Sequence, residues 1–340
     1  MRVQFDEMRD VIVRALQAGG ADEEQAKVMS EVYATSSLKG VYSHGLNRVA
    51  RLIDFVDKGY VDPKGKMELI AEKGAIKNYD GNLGFGILNA MEAAKEAAKL
   101  AKEFGIGMVS VRNTTHWMRG GSYAEMIADE GLIGMAWTNV ESVMPVWGSD
   151  EASIGNNPMG IAIPSKNGPI LLDMAMALYS YGKLQTTRLL GEQLPFEGGY
   201  NEDGELTTDP AEIEATKRVL PIGSWKGSGL AIALDLMAAL LSNGKAGVHM
   251  DEENRGNCTS CAQIFIAFDP SPMIGEEDYE QTIEDVKNKV HSANPIDAKR
   301  PPTYPGEGMN KREQDNLENG IPVDENIWNE VRRLAGDIDD

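Results

Sequence analysis

From Gln4 to Lys58 apolar residues return every third or fourth position and glycine punctuates the runs, so this region predicts three amphipathic helices. The first, QFDEMRDVIVRALQAGG, stops at Gly19 and Gly20. The second, ADEEQAKVMSEVYATSSLKG, carries acidic residues in its first turn, where the helix dipole favours them, and ends at Gly40. The third spans SHGLNRVARLIDFVDK, Ser43 to Lys58. The pattern then changes. MELIAEKGAIKNYDGN alternates about a turn at Lys73-Gly74 and predicts two strands. ILNAMEAAKEAAKLAKEFG is built from strong helix formers. IGMVSVRN reads as a strand, GSYAEMIADEG as a short helix and LIGMAWTNV as another strand. PMGIAIPS and GPILLDMAMA predict two strands joined by a Lys-Asn-Gly turn, and GSGLAIALDLMAALLSNG a buried helix. CAQIFIAFDP is a strand ended by Pro270, with two or three polar helices after it. The polar stretch 197–217 predicts an exposed excursion.

Helices and strands mix without strict β-α-β alternation, which predicts an α+β fold. The expected division is a helical domain over 1–75, joined by C-terminal helices within 300–340, and a mixed α/β domain over 76–299. The chain shows no internal repeat.

Charge narrows the partners. With 33 basic and 53 acidic residues the net charge is −20, which argues against nucleic acid and anionic lipid. A small anion would be repelled on average, so a site for one must carry its own cations. The two cysteines, Cys258 and Cys261, form half of a zinc-type set with no second pair and read as reduced thiols. The N-terminus has no apolar signal segment, and the longest apolar run, 229–241, is interrupted by Asp235 and too short to span a bilayer.

Two stretches carry candidate chemistry. In VYSHGLNR, a helix would put His44 and Arg48 on one face. Imidazole exchanges protons near neutrality, and a guanidinium fork matches a carboxylate. Gly45 would leave room for a ligand, and Ser43 would cap the helix or hydrogen-bond the ligand. The competing reading is a surface helix capped by Ser43 with His44 idle. In NTTHWMRGGSY, His116 follows a strand, with Trp117 as a pocket wall, Arg119 as a second cation, and Gly120 and Gly121 permitting close approach. The competing reading there is a tryptophan-anchored turn. His249 and His291 stand in polar surroundings. GNLGFG, 81–86, is not the dinucleotide fingerprint and reads as a turn into a helix.

Six blocks, GVYSHGLNR, NTTHWMRGGSY, IGNNPMGIAIPS, ILLDMAMA, SWKGSGLAIALDLMAALLS and PGEG, resemble in order and spacing the malate/L-lactate dehydrogenase type 2 family, from about residue 3 to 335. The resemblance implies a cytoplasmic homodimer using NADH, or NADPH, on a non-Rossmann fold with a mixed, largely antiparallel sheet. Residues 1–75 would form the substrate side. It implies His44 as proton donor and His116 as a second polar group at the reacting carbon, with Arg48 on the substrate carboxylate. Ser43, Asn113 and Arg119 would complete the substrate site. The implied cofactor contacts are Pro169, Ile170, Leu171, Leu172, Asp173, Met174 and Ala175, then Trp225 and Lys226, then Gly306, Glu307 and Gly308, with no metal. The chain departs from many members at HWMRGG, which matches the subgroup acting on 2,3-diketo-L-gulonate, and at Met176-Ala177. The expected reaction is reduction of a 2-oxo sugar acid, 2,3-diketo-L-gulonate to 3-keto-L-gulonate. The alternatives are malate, L-lactate, ureidoglycolate or a cyclic imino acid as substrate, or a non-catalytic binding protein on the same fold.

Overall fold

The computed structural model describes residues 1–256 and 258–339. A short strand, β1 (Arg2–Val3), leads into α1 (Phe5–Ala18) and α2 (Glu23–Leu38). α1 buries Met8, Val11, Ile12, Ala15 and Leu16, one stripe at helical spacing. α2 starts at a capping box between Asp22 and Gln25.

The third predicted helix is shorter than its pattern. Only Val49–Asp57 is α-helical (α3), while Tyr42–His44 and Leu46–Arg48 are single 3₁₀ turns on either side of Gly45. Ser37 explains the break. The Leu46 amide donates to its Oγ at 3.0 Å, and a Cβ at position 45 would lie 2.0 Å from that oxygen. Gly45 therefore serves contact with α2 rather than room for a ligand, and Ser43 is not a helix cap.

The hairpin β2 (Glu68–Lys73) and β3 (Ile76–Asp80) is followed by α4 (Gly86–Phe104), which crosses over to β4 (Ile106–Thr114), parallel to β3. Six alanines of α4 are buried, and Gly107 of β4 passes so close that a Cβ would meet the Ala97 carbonyl at 2.1 Å. Next come α5 (Gly120–Ala128), β5 (Ile133–Thr138), the small pair β6 (Met144–Pro145) and β7 (Ala152–Ile154), then the hairpin β8 (Met159–Ile163) and β9 (Ile170–Met174). After α6 (Tyr181–Leu189), β10 (Gly199–Tyr200) and β11 (Leu206–Thr207) form a hairpin that leads to α7 (Pro210–Thr216). The excursion 197–217 is more anchored than its polarity suggests, because Ile213 within it is fully buried, as is Val219 just after it. The chain closes with α8 (Trp225–Ser242), α9 (Gly247–Glu253), β12 (Cys261–Phe268), α10 (Glu276–His291), α11 (Glu307–Asn319), β13 (Ile321–Pro322) and α12 (Glu325–Leu334).

The main sheet has seven strands in the order β2-β3-β4-β12-β5-β8-β9, and only the β3–β4 pair is parallel. Its centre is buried on both faces, so β12 reads as one apolar run. Phe265 and Ala267 join the core under α4 and α5, while Ile264 joins the core under α8. A separate core unites α1 and α2 with Ile321, Trp328 and Val331 from the C-terminal end, where β1 pairs with β13.

α8 is only half as buried as its sequence predicts. Ala231, Leu234, Ala238 and Ala239 face inward, but Leu230, Ile232, Leu236, Met237, Leu240 and Leu241 are exposed. By length and composition the helix could cross a membrane. Asp235 ties it to the fold instead, accepting from Asn139 at 2.8 Å and from the Gly247 amide.

Candidate active site

The break at Gly45 builds the first half of the site. Ser43 Oγ lies 2.9 Å from His44 Nδ1, and Arg48 Nε donates to the Ser43 carbonyl at 2.9 Å. His44 and Arg48 are therefore brought together through Ser43, not through one helical face as the spacing predicted. The backbone of α6 closes over Ser43 at Gly182, where a Cβ would meet the Ser43 Cβ at 2.3 Å.

The second half is the loop between β4 and α5, pinned at three points. Thr115 Oγ1 donates to the Gly84 carbonyl at 2.8 Å, the Gln263 amide donates to the Thr115 carbonyl at 2.9 Å, and the Tyr123 hydroxyl donates to the Trp117 carbonyl. Trp117 is buried and packs on Tyr123 and Phe265, so it anchors the loop rather than walling a pocket. Met118 adopts a left-handed φ of 70°, and its amide donates to His116 Nδ1 at 3.1 Å. That bond fixes the tautomer: with Nδ1 accepting, the neutral ring carries its proton on Nε2.

The two imidazoles stack nearly parallel, 5.8 Å apart with an interplanar angle of 14°. Among the described residues neither Nε2 has a hydrogen-bond partner. Burial, then Arg48 and Arg119, lower the His44 pKa to about 3. His116 is also pushed well below its usual range, by burial first and then by Arg48, His44 and Arg51. The expectation that His44 titrates near neutrality is thus corrected for the unliganded protein: both rings are neutral there.

This has a consequence for stability. Above about pH 6.5 both rings are neutral whether the chain is folded or not. Below it the unfolded chain binds protons that the folded site refuses, so stability falls with pH from about 6.5 toward 3. At pH 5 His44 alone accounts for about 2 kcal/mol. His44→Asn is expected to flatten the loss of urea midpoint between pH 7 and 5. Equal slopes for variant and wild type would show that His44 is not held neutral.

Beside His116 lies a narrow pocket whose lining combines the polar side chains Arg48, Arg51, Thr115 and His116 with the apolar Leu52, Phe55, Val61 and Met118. Arg51 and these apolar residues were not singled out from the sequence. The only signal was the position of Arg51, three residues after Arg48.

Two predicted substrate ligands are otherwise engaged. The Arg119 side chain is 3% exposed and lies between Glu125 (3.6 Å) and Asp173 (3.5 Å), donating also to Ser122 Oγ at 3.0 Å. Glu125 in turn pairs with Lys39 at the end of α2. Arg119 thus fastens the His116 loop to α2 and β9, and reaches His44 only by its field. Asn113 donates to Asp80 at 3.0 Å and opens on a different hollow, with Asp62, Lys66 and Asn82. Gly121 permits close approach, but of Asp173 rather than of a ligand.

The predicted cofactor residues fall along one edge strand. β9 holds Ile170 to Met174, with Pro169 before it and Ala175 after it. At its start the Leu171 amide donates to the Pro305 carbonyl, and a Cβ on Gly306 would meet the Leu171 amide nitrogen at 3.0 Å. Gly308 and Glu307 begin α11 there, with Glu307 3.0 Å from His291. Past the far end of β9, Ala177 bridges to Pro221, which leads to the exposed Trp225 and Lys226. The span from Leu171 to Ala177 is roughly 20 Å at strand rise. By alternation Asp173 and Ala175 share Leu171's outward side of the strand. An edge strand with outward backbone groups, flanked by a turn with glycine at 306 and 308, suits an extended polar ligand such as a dinucleotide. Among the described residues no cluster of potential ligands could hold a metal, and Cys258 and Cys261 are free thiols.

The sequence profile of the malate/L-lactate dehydrogenase family matches residues 3–332. The 2,3-diketo-L-gulonate reductase of Citrobacter koseri is 39% identical over 335 residues, 98% of this chain and 100% of that protein. The sulfolactate dehydrogenase of Methanocaldococcus jannaschii superposes with a TM-score of 0.89 at 28% identity, over 99% of this chain and 97% of that one. The malate dehydrogenase of Entamoeba histolytica does so with a TM-score of 0.93 at 26% identity, again over 99% and 97%.

Proposed function

The chain belongs to the malate/L-lactate dehydrogenase family, and on that premise we propose that it reduces a sugar-derived 2-oxo acid, 2,3-diketo-L-gulonate to 3-keto-L-gulonate, with His44 as proton donor. Family membership makes it an oxidoreductase that uses a nicotinamide cofactor; the choice of NADH, with NADPH as second best, is part of the proposal. The observation that carries it is the pair of unpartnered Nε2 atoms on His44 and His116 beside the Arg48 fork.

The cofactor, when bound along β9, the turn 306–308 and Trp225-Lys226, supplies a hydride to C2. The chain's own residues do the rest. Arg48 holds the C1 carboxylate in a fixed plane, because its Nε is committed to the Ser43 carbonyl. His116 donates from Nε2 to the carbonyl oxygen and keeps its proton, because Nδ1 is occupied by the Met118 amide. His44 is the ring that can change charge, since the Ser43 hydroxyl can donate to or accept from its Nδ1. A bound carboxylate offsets the Arg48 charge that helps keep His44 neutral, so substrate binding itself favours the imidazolium. In the oxidative direction the neutral His44 is the base.

Residues 1–75 with 300–340 form the substrate side in this reading, and 76–299 the cofactor side. The exposed leucines of α8 are covered by a second copy of the chain in a homodimer, not by lipid or nucleic acid. Light scattering giving a monomer mass at micromolar concentration would remove the dimer. We place the enzyme in the cytoplasm, a point for cell fractionation.

The decisive measurement is a scan of 2-oxo acids for oxidation of NADH and of NADPH. The expected order is 2,3-diketo-L-gulonate first, with oxaloacetate and pyruvate weaker. A preference for oxaloacetate would make the chain a malate dehydrogenase, and no oxidation with any acid would end the catalytic reading.

A further inference from the structure

We propose that Arg51 sets substrate specificity by donating hydrogen bonds to an oxygen at the far end of the acid whose C1 carboxylate Arg48 holds. The inference rests on the 2-oxo acid reading of the pocket. Its basis is a cation that, among the described residues, has no anionic partner. Arg51 lines the pocket together with Arg48 and His116, and its side chain is exposed. Among the described residues it has no ion pair and no hydrogen bond. The acids in its field are engaged: Asp54 pairs with Lys58 at 2.7 Å, and Glu141 accepts the Cys258 amide at 2.8 Å.

Its position is costly without a ligand. Arg48 is the N-cap residue of α3 and Arg51 stands in its first turn, which has no acidic residue and no side-chain cap. The positive end of a helix dipole disfavours cations, and two guanidiniums three residues apart repel each other. Their mutual repulsion, after burial, contributes to lowering the Arg48 pKa. In a chain of net charge −20, two cations could have been paired cheaply. An oxygen-rich anion lying across them resolves the repulsion.

The guanidinium is also oriented. Its carbon lies 5.7 Å over the Phe55 ring, one turn on, which limits where the donors can reach. Leu52, Phe55, Val61 and Met118 bring no polar side chain to the lining, and the Thr115 hydroxyl donates to the Gly84 carbonyl, so Arg51 is the lining cation left for the distal oxygen once Arg48 holds the carboxylate. A distal carboxylate and a distal hydroxyl offer the same acceptor chemistry, and the experiment separates them.

The test measures kcat/KM at saturating cofactor for pyruvate, oxaloacetate and 2-keto-L-gulonate with wild type, Arg51→Met and Arg51→Lys. In Arg51→Met the preference for oxaloacetate or ketogulonate over pyruvate is expected to fall roughly 10–100-fold, with partial recovery in Arg51→Lys. The substrate that suffers the fall identifies the distal oxygen. An unchanged preference, or equal losses on all three acids, overturns the proposal. A calorimetric arm needs no turnover: wild type should bind malate or L-gulonate more tightly than L-lactate, and Arg51→Met should lose that margin. If wild type reduces no 2-oxo acid, the functional reading fails, and the calorimetric arm still decides Arg51. A wild type without the margin, or a variant that keeps it, overturns the assignment.

Discussion

Asparagine in place of His44 is expected to lower turnover of the 2-oxo acid by about 10²–10⁴-fold, the span of one acid–base group, and to leave NADH binding nearly unchanged. A proton donor acts on the transition state, so kcat and kcat/KM should fall together. The pH profile is the sharper readout. Burial, Arg48 and Arg119 lower the His44 pKa to about 3 in the unliganded protein. Only the imidazolium donates, so wild-type kcat/KM for reduction should fall about tenfold per rising pH unit across the neutral range, without a plateau. Oxidation of the hydroxy acid uses the neutral ring and should lack that limb. Once the carboxylate is bound, the kcat limb should lie at higher pH than the kcat/KM limb. In His44→Asn the alkaline limb should vanish. His116→Asn should cost activity but keep the limb, because the Met118 amide occupies Nδ1 of His116. If His116→Asn loses the limb and His44→Asn keeps it, the two roles are exchanged.

Lysine in place of Arg48 is expected to raise KM for the acid by roughly 10–100-fold, the worth of a charge-assisted bond and its geometry. Arg48 holds the Ser43 carbonyl with Nε and leaves its two terminal nitrogens for a carboxylate. An ammonium replaces that planar fork with a point charge. The variant should also lose some kcat, because the Ser43 carbonyl that it releases belongs to the turn carrying the Ser43–His44 contact. NADH affinity should change little. Steady-state kinetics at saturating cofactor decide the matter, and an unchanged KM and kcat would take Arg48 out of the site.

Much of the site's composition was legible before its geometry. The two stretches singled out in the sequence do meet: His44 stacks on His116, and Arg48 lines a pocket with His116. The reason for the convergence was not legible. The apolar spacing of 43–58 fits one continuous helix, yet Ser37, six residues before Ser43, breaks it by binding the Leu46 amide. Arg119 looked like a free cation because Asp173 is 54 residues away in sequence, and burial made that pair compulsory. Asn113 looked available for the same reason, since Asp80 lies on the neighbouring strand. In sequence Arg51 resembles an ordinary solvated residue of a helix face, and only the folded pocket shows it without an ion pair among the described residues.

Period and punctuation determined most of the long secondary elements by themselves, the helix broken at Gly45 excepted. Glycines at 19, 20, 40, 105 and 168 close helices or turn hairpins, and alternation or apolar runs mark the strands, because those signals act within a few residues. Charge determined that a site for a small anion must carry its own cations. Tertiary structure alone decided the order of the strands, the edge position of β9, the half-exposed face of α8 and the neutral state of the two histidines. Strand order depends on which apolar faces cover which, and the protonation of His44 on its burial and on the charges of Arg48 and Arg119. Both are set by groups far apart in the chain, whose free energies exist only once the chain has closed around them.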